Sequence, residues 1–495
     1  MSFSHQHNQT MRPTLLVIAL LLTGAVAPAA EFHVDSSRSA AGDGSSANPW
    51  RLWNNIDWNK ISTALASEPV TICFSSRGTW SSTGGFHIKA TGTAAHPLAL
   101  IGHQQYNLTG SGAAVWQRET NATQRAILNG SLYLGNGLSH ITVAGFLLFH
   151  PPWGGVNLGT AQPTLDIHHI TVESCVIDSP VHNHGVWFGY AESGCYDITV
   201  RKNVIRNTQL EGIYLGHYNF LTNTITGVLV EGNTLVDCGL SGEGDIDIKP
   251  AVCGAIIRYN THYRTSPKLP GSNCGVVVGA DQCQIYGNTF YAAAQKPASD
   301  WGHGIYVNAD GDGTGHGQGI TACLIYNNLV HGNSRAGIKL TANTATPDAN
   351  ITGVRIYNNL IWANGTVGLQ ASASHQRTVT IVEMKNNILG ANTEHDISIT
   401  GGARILVADH NLYFRATGSS WFCQGEKTWT AWKALGFDPH GLNTDPQLAT
   451  NFRSPVAHNG ADLSAIFTTD HDGKPRPRGA AWNIGPFQSP AISGR

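Results

Sequence analysis

One short pattern recurs through the middle of the chain and decides most of what it can become. HITVAGFLL starts at His140, HITVESCVI at His169 and DITVRKNVI at Asp197. VLVEGNTLV (Val228), AIIRYNTHY (Ala255), CQIYGNTFY (Cys283) and CLIYNNLVH (Cys323) follow, then VRIYNNLIW (Val354), VEMKNNILG (Val382) and ILVADHNLY (Ile405). Each copy is a short strand, apolar at every second position, running into a turn; the copies lie roughly 22–40 residues apart.

Aligned, they place Asn203, Asn233, Asn260, Asn288, Asn328, Asn359, Asn387 and Asn411 at one position. A buried turn asparagine can bond the same atoms of the coil above and the coil below, with every polar group used. Gly-Asn and Asn-Asn are common turn pairs in any fold. So many in register instead suit stacked identical turns. The expected fold is all-β, a right-handed parallel β-helix over 140–415. Residues 31–139 are expected to hold an N-terminal cap and irregular first coils, and 416–495 a C-terminal cap or tail.

A second strand aligns after each turn: GVWFG (Gly185), GIYLG (Gly212), DIDIK (Asp245), GVVVG (Gly275), GIYVN (Gly304), GIKLT (Gly337) and GLQAS (Gly368). Alternation sends its second and fourth positions into the core. The first, third and fifth are then expected to face outward. The third position forms a column of Trp187, Tyr214, Asp247, Val277, Tyr306, Lys339 and Gln370. The fifth forms a mostly small lane of Gly189, Gly216, Lys249, Gly279, Asn308, Thr341 and Ser372. Aromatic faces beside an open lane suit sugar rings. Asp245, Asp247 and Lys249 make one coil charged at all three outward positions, with Glu211 and Glu243 nearby. A charged triplet is commonly just a solvated face. Here carboxylates from neighbouring coils also offer oxygen ligands for a hard cation such as calcium.

Composition narrows the partners. The chain of 495 residues has 13% charged side chains, 56 glycines and a net charge of −2, which suits many short strands and turns and argues against nucleic acid. Arg12, the apolar run 15–22 and the small residues 25–30 read as a cleavable signal peptide over 1–30. No later run is long enough to span a membrane. The expectation is a secreted or periplasmic monomer. The cysteines are odd in number, 9, and Cys283–Cys323, Cys238–Cys253 and Cys175–Cys195 are possible pairs, with buried thiols the alternative.

At this point the sequence resembles the pectate-lyase-like superfamily of secreted right-handed parallel β-helix proteins. NVIRNTQLEGIYLG followed by EGNTLVDCGLSGEGDIDIKPA carries the resemblance, with the closing DHDGKPRPRGAAWNIGPFQ; the repeats span more than half the chain. The resemblance implies a polysaccharide lyase acting by β-elimination on an acidic, uronate-containing polysaccharide. Calcium held by Asp245, Asp247, Glu211 and Glu243 would neutralise the uronate carboxylate. Lys249 would be the base, its pKa lowered by the metal and Lys339. Lys339 or Arg335 would hold a substrate carboxylate, beside Trp187, Tyr214 and Tyr306. The full clustered aspartate set of well-defined pectate lyases is not found.

His182, His184 and His303 lie just before the outward strand, with Asp300 close by; His303 is a further candidate for catalysis or substrate binding, against a turn-closing role. Asp310 and Asp312 are spaced as in calcium loops but fit a plain glycine-rich insertion. Gly315-His316-Gly317 lacks the Asp-Asp pair of a polygalacturonase-like site. Glycoside hydrolysis by paired carboxylates in the same groove is one alternative function. A non-catalytic carbohydrate-binding or surface β-helix is the other.

Overall fold

A computed structural model describes residues 29–488 except 77, 109–113, 119–123, 136, 150, 152–153, 159–165, 179–183, 189–194, 217–224, 266–272, 294–300, 310–317, 344–347, 417–421 and 423–427. The expected signal peptide lies almost wholly outside the described residues. So do His182, Gly189, Asp300, Asp310, Asp312 and Gly315-His316-Gly317. Among the described residues, no helix is long and apolar enough to cross a membrane.

The chain is a right-handed parallel β-helix. Three long sheets of 14, 13 and 11 strands run along it, and a typical coil contributes one strand to each. One coil, for example, passes from Cys195–Arg201 in the first sheet to Val204–Arg206 in the second and Ile213–Leu215 in the third. Alternating apolar side chains fill the interior with a continuous aliphatic stack: Ile170, Ile198, Ile177, Ile205, Val186 and Ile213 are all closed to solvent. At the N-terminal end the helix Trp58–Leu65 starts at Asp57, whose carboxylate accepts from the Asn59 and Lys60 amides, and buries Ile61 and Leu65.

The asparagine ladder forms in register. Asn260 donates its side-chain amide to Val230 O (2.9 Å) and Asn288 Oδ1 (3.0 Å), and its backbone N–H to the same Oδ1 (2.9 Å). The same three bonds recur from Asn203 through Asn411. A second, unforeseen ladder joins Asn333, Asn364 and Asn392 one turn further on.

Asp438, in the Asp-Pro-His run after the second short helix, ends the main ladder. Its Oδ1 accepts the Asn411 amides, and its Oδ2 accepts from the Tyr413 hydroxyl and the indole of Trp432. Trp432 belongs to the short helix Trp429–Ala434, capped by Thr428. Beyond it, residues 442–488 run back along the helix. There the first asparagine of each Asn-Asn pair, in left-handed conformation, clasps the returning chain: Asn327 to Thr469 O, Asn358 to Asn483 O and Gly485 O, Asn386 to Ala461 O.

Cys283 and Cys323 do sit opposite each other in adjacent strands, yet the eight described cysteines are all free thiols. Burial pushes the Cys323 thiol up to about 12, which keeps it an inert core residue.

Candidate functional site

The third sheet carries the site. Trp187 pairs with Tyr214, Tyr214 with Asp247, Asp247 with Val277, Val277 with Tyr306, Tyr306 with Lys339 and Lys339 with Gln370. The expected third-position column is therefore continuous. It is far less exposed than expected. Tyr214 and Tyr306 are only 8% accessible and Asp247 1%, so Trp187, half-buried, keeps the more open aromatic face.

Asp245 does not face outward, and it lies apart from the carboxylates that gather outside. It occupies the column of Gly155, Gly185, Gly212, Gly275, Gly304, Gly337 and Gly368. A Cβ at those glycines would meet interior side chains of the second sheet, such as Ile205 at 2.4 Å from Gly185 and Phe290 at 2.6 Å from Gly275. This is the corner by which the chain enters the strand, so a side chain there is directed inward. The Asp245 carboxylate is fully buried, bonded to the His262 ring and accepting from Asn273 Nδ2 (2.6 Å). His262 in turn replaces the Leu235 and Phe290 of the adjoining coils.

Outside the same coil, one oxygen each from Glu211, Glu243 and Asp247 lie within 4.8 Å of one another. Glu211 comes from the residue before the Gly212 corner and is bridged by His184 Nδ1 at 2.7 Å. The Lys249 ammonium stands 2.8 Å from Asp247 Oδ2 and 5.1 Å from the centre of the Tyr214 ring. Trp187 stacks parallel to His184, ring centres 5.6 Å apart. His184, in the sequence only a neighbour of the strand, is thus part of the cluster.

Burial, then the charges of Glu211 and Asp247, pushes the Glu243 carboxyl up to about 7. Burial also raises Asp247. With no cation at the carboxylates, Lys249 is raised and not lowered. Burial opposes its charge, but Asp247, Glu211 and Glu243 surround it and hold its proton on. Lys339, invoked as a neighbouring positive charge, instead lies over Tyr306, three strands beyond Asp247.

The cluster's donor set suits a hard divalent ion. Three carboxylates crowd together, and neither Asp247 oxygen receives a well-aligned hydrogen bond. Tyr306, Lys339 and His303 form a second patch further along, separated from the first by Val277. Lys339 Nζ is 4.7 Å and the His303 ring 5.5 Å from the Tyr306 ring centre. His303 Nδ1 accepts from the Ala336 amide (3.1 Å), which fixes its ring at the strand entry. Arg335 enters the same corner, its amide bonded to Gly302 O.

A family model described as right handed beta helix region matches residues 155–352. No curated protein sequence matches. Solved structures share the fold at low identity. The catalytic unit of a thermostable GH87 alpha-1,3-glucanase from Streptomyces thermodiastaticus superposes with TM-score 0.50 at 13% identity, covering 84% of this chain and 69% of its own. XylC in complex with xylose gives 0.49 at 12%, covering 92% and 98%. Pectate lyase Pel9A gives 0.42 at 15%, covering 94% and 97%.

Proposed function

We propose that the protein is an exported polysaccharide lyase that acts by β-elimination on a uronate-containing chain lying in the groove of the third sheet. One observation carries this reading: three carboxylates and a lysine converge at one coil, beside an aromatic face. Glu211, Glu243 and Asp247 would hold a calcium ion. Bound there, the ion would neutralise the uronate carboxylate and so acidify the C5 proton. Lys249 Nζ is the group that takes that proton. The carboxylates that keep it protonated are the same ones whose charge a cation would offset, so loading the cluster favours the neutral amine. Trp187 gives a sugar ring its apolar partner. Lys339, over Tyr306, meets a second carboxylate further along the chain.

Glycoside hydrolysis is the second reading, favoured by Glu243. A carboxyl raised to about 7 with two further carboxylates at hand is a setting that suits a general acid. A screen of acidic polysaccharides separates the two. Elimination gives products with ultraviolet absorbance that calcium promotes and a chelator removes, and Lys249→Ala abolishes them with the fold intact. New reducing ends without absorbance would sink the lyase reading. Binding without cleavage would make the protein a carbohydrate-binding β-helix.

A further inference from the structure

On the first sheet, away from the groove, three histidines meet. His140, His169 and Asp197 open equivalent strands of three successive coils, and all three are left-handed, with φ of 53°, 54° and 55°. The shared conformation aims their side chains the same way. His168, next to His169, pairs across the sheet with Ser139 and Tyr196. The array stops at the next coil, where the equivalent residue is Gly227: a Cβ there would lie 2.1 Å from Asp197 Oδ1.

One ring nitrogen from each of His140, His168 and His169 falls within 4.8 Å of the others, and Nδ1 of His168 and His169 stand 2.7 Å apart. His140 stacks on His169 with ring centres 4.2 Å apart, and His168 stacks on Tyr196 at 4.6 Å. Asp197 Oδ2 lies 3.3 Å from His169 Nε2. A carboxylate beside Nε2 favours the proton on that nitrogen, which leaves Nδ1 the free ligand atom, on the side of His168. Imidazole nitrogens suit zinc, nickel, cobalt or copper, not calcium.

We propose that His140, His168 and His169 form a binding site for a first-row transition-metal ion, with Asp197 orienting His169. The ion would tie two successive coils through their side chains, with Asp197 bracing from the third. It would be independent of any calcium at the carboxylates.

Cobalt(II) titration of the full chain, read by its visible absorption bands and by equilibrium dialysis, tests this. His169→Asn and His140→Asn keep a residue that tolerates left-handed backbone and should each lose one bound equivalent. Asp197→Asn should weaken binding roughly tenfold or more. A second cluster, Asp409, His410 and His440, serves as the control, and His440→Ala should leave that equivalent in place. If the His140 and His169 variants bind as the parent does, or if His440→Ala alone removes the bands, the site is refuted. Retained circular dichroism in each variant shows that lost binding is not lost folding.

Discussion

The Asp245 carboxylate and the His262 ring are bonded inside the helix at two positions where the adjoining coils place glycine and a leucine or phenylalanine. Each is the other's partner, with Asn273 Nδ2 the second donor to Asp245, while Nε2 of His262 stays buried without a hydrogen bond. Asp245→Gly should destabilise by about 3 kcal/mol, because it leaves a buried polar ring without its partner. Adding His262→Leu should recover the larger part. A double-mutant cycle by urea denaturation measures this coupling, which should be roughly 2 kcal/mol; additive losses would mean that the pair is not a unit.

The ladder predicts a position-specific cost. Asn288→Ala strips Ile257 O of its donor and removes the acceptor used by both Asn260 amides. Buried groups left without partners cost about 1–3 kcal/mol each, so the loss should exceed 3 kcal/mol. An exposed turn substitution such as Asn451→Ala should change stability by less than about 0.5 kcal/mol. Comparable midpoints for the two would overturn the ladder as a stabilising device.

Glu243 gives the acidic cluster a pH signature. Its folded pKa, about 7, lies above the ordinary carboxyl value, so the native state binds more protons than the unfolded chain between the two. The stability it contributes is full below the unfolded pKa and is lost as pH rises through about 7. Tm should therefore fall between pH 5 and 8 without added metal, and Glu243→Gln should flatten that dependence. Calcium should restore Tm at pH 8. A thermal scan series at both pH values, with calcium and with chelator, reads this directly.

Trp187 should act on binding. Trp187→Ala should raise KM about tenfold or more, with kcat little changed, because stacking on a sugar face is felt in ground state and transition state alike. A matching drop in kcat would place the indole at the reacting centre.

The stacked coil, the ladder and the third-position column were legible in the sequence, because each repeats and repetition reveals register; the third strand of the coil was not, since the copy from Asp197, read as one strand and a turn, reaches over two, Cys195–Arg201 and Val204–Arg206. What repetition could not give was the meaning of its own exceptions. Asp245 stands where every aligned coil has glycine, and a column of glycine marks a place where a side chain would run into the packed interior; that signal was present and pointed inward. His262, in line with Leu235 and Phe290, was the matching half. Asp438 was harder to see, because its partners Asn411, Tyr413 and Trp432 are assembled only when the tail folds back. The charge state of Lys249 was also hidden, since it depends on Glu211 and Glu243 arriving from corners that strand periodicity does not describe.

The main asparagine column has a direction. Each asparagine gives one side-chain hydrogen back to a carbonyl of the preceding coil, and sends its other side-chain hydrogen and its backbone N–H onward to the next Oδ1; the last receiver, Asp438, is met by four donors. Such a group acts like a chain terminator in a polymer. An asparagine there would turn an amide hydrogen toward the Tyr413 hydroxyl and the Trp432 indole, both of which already donate. The carboxylate, fully buried, thus lets a column built of donors and acceptors end in a group that only accepts.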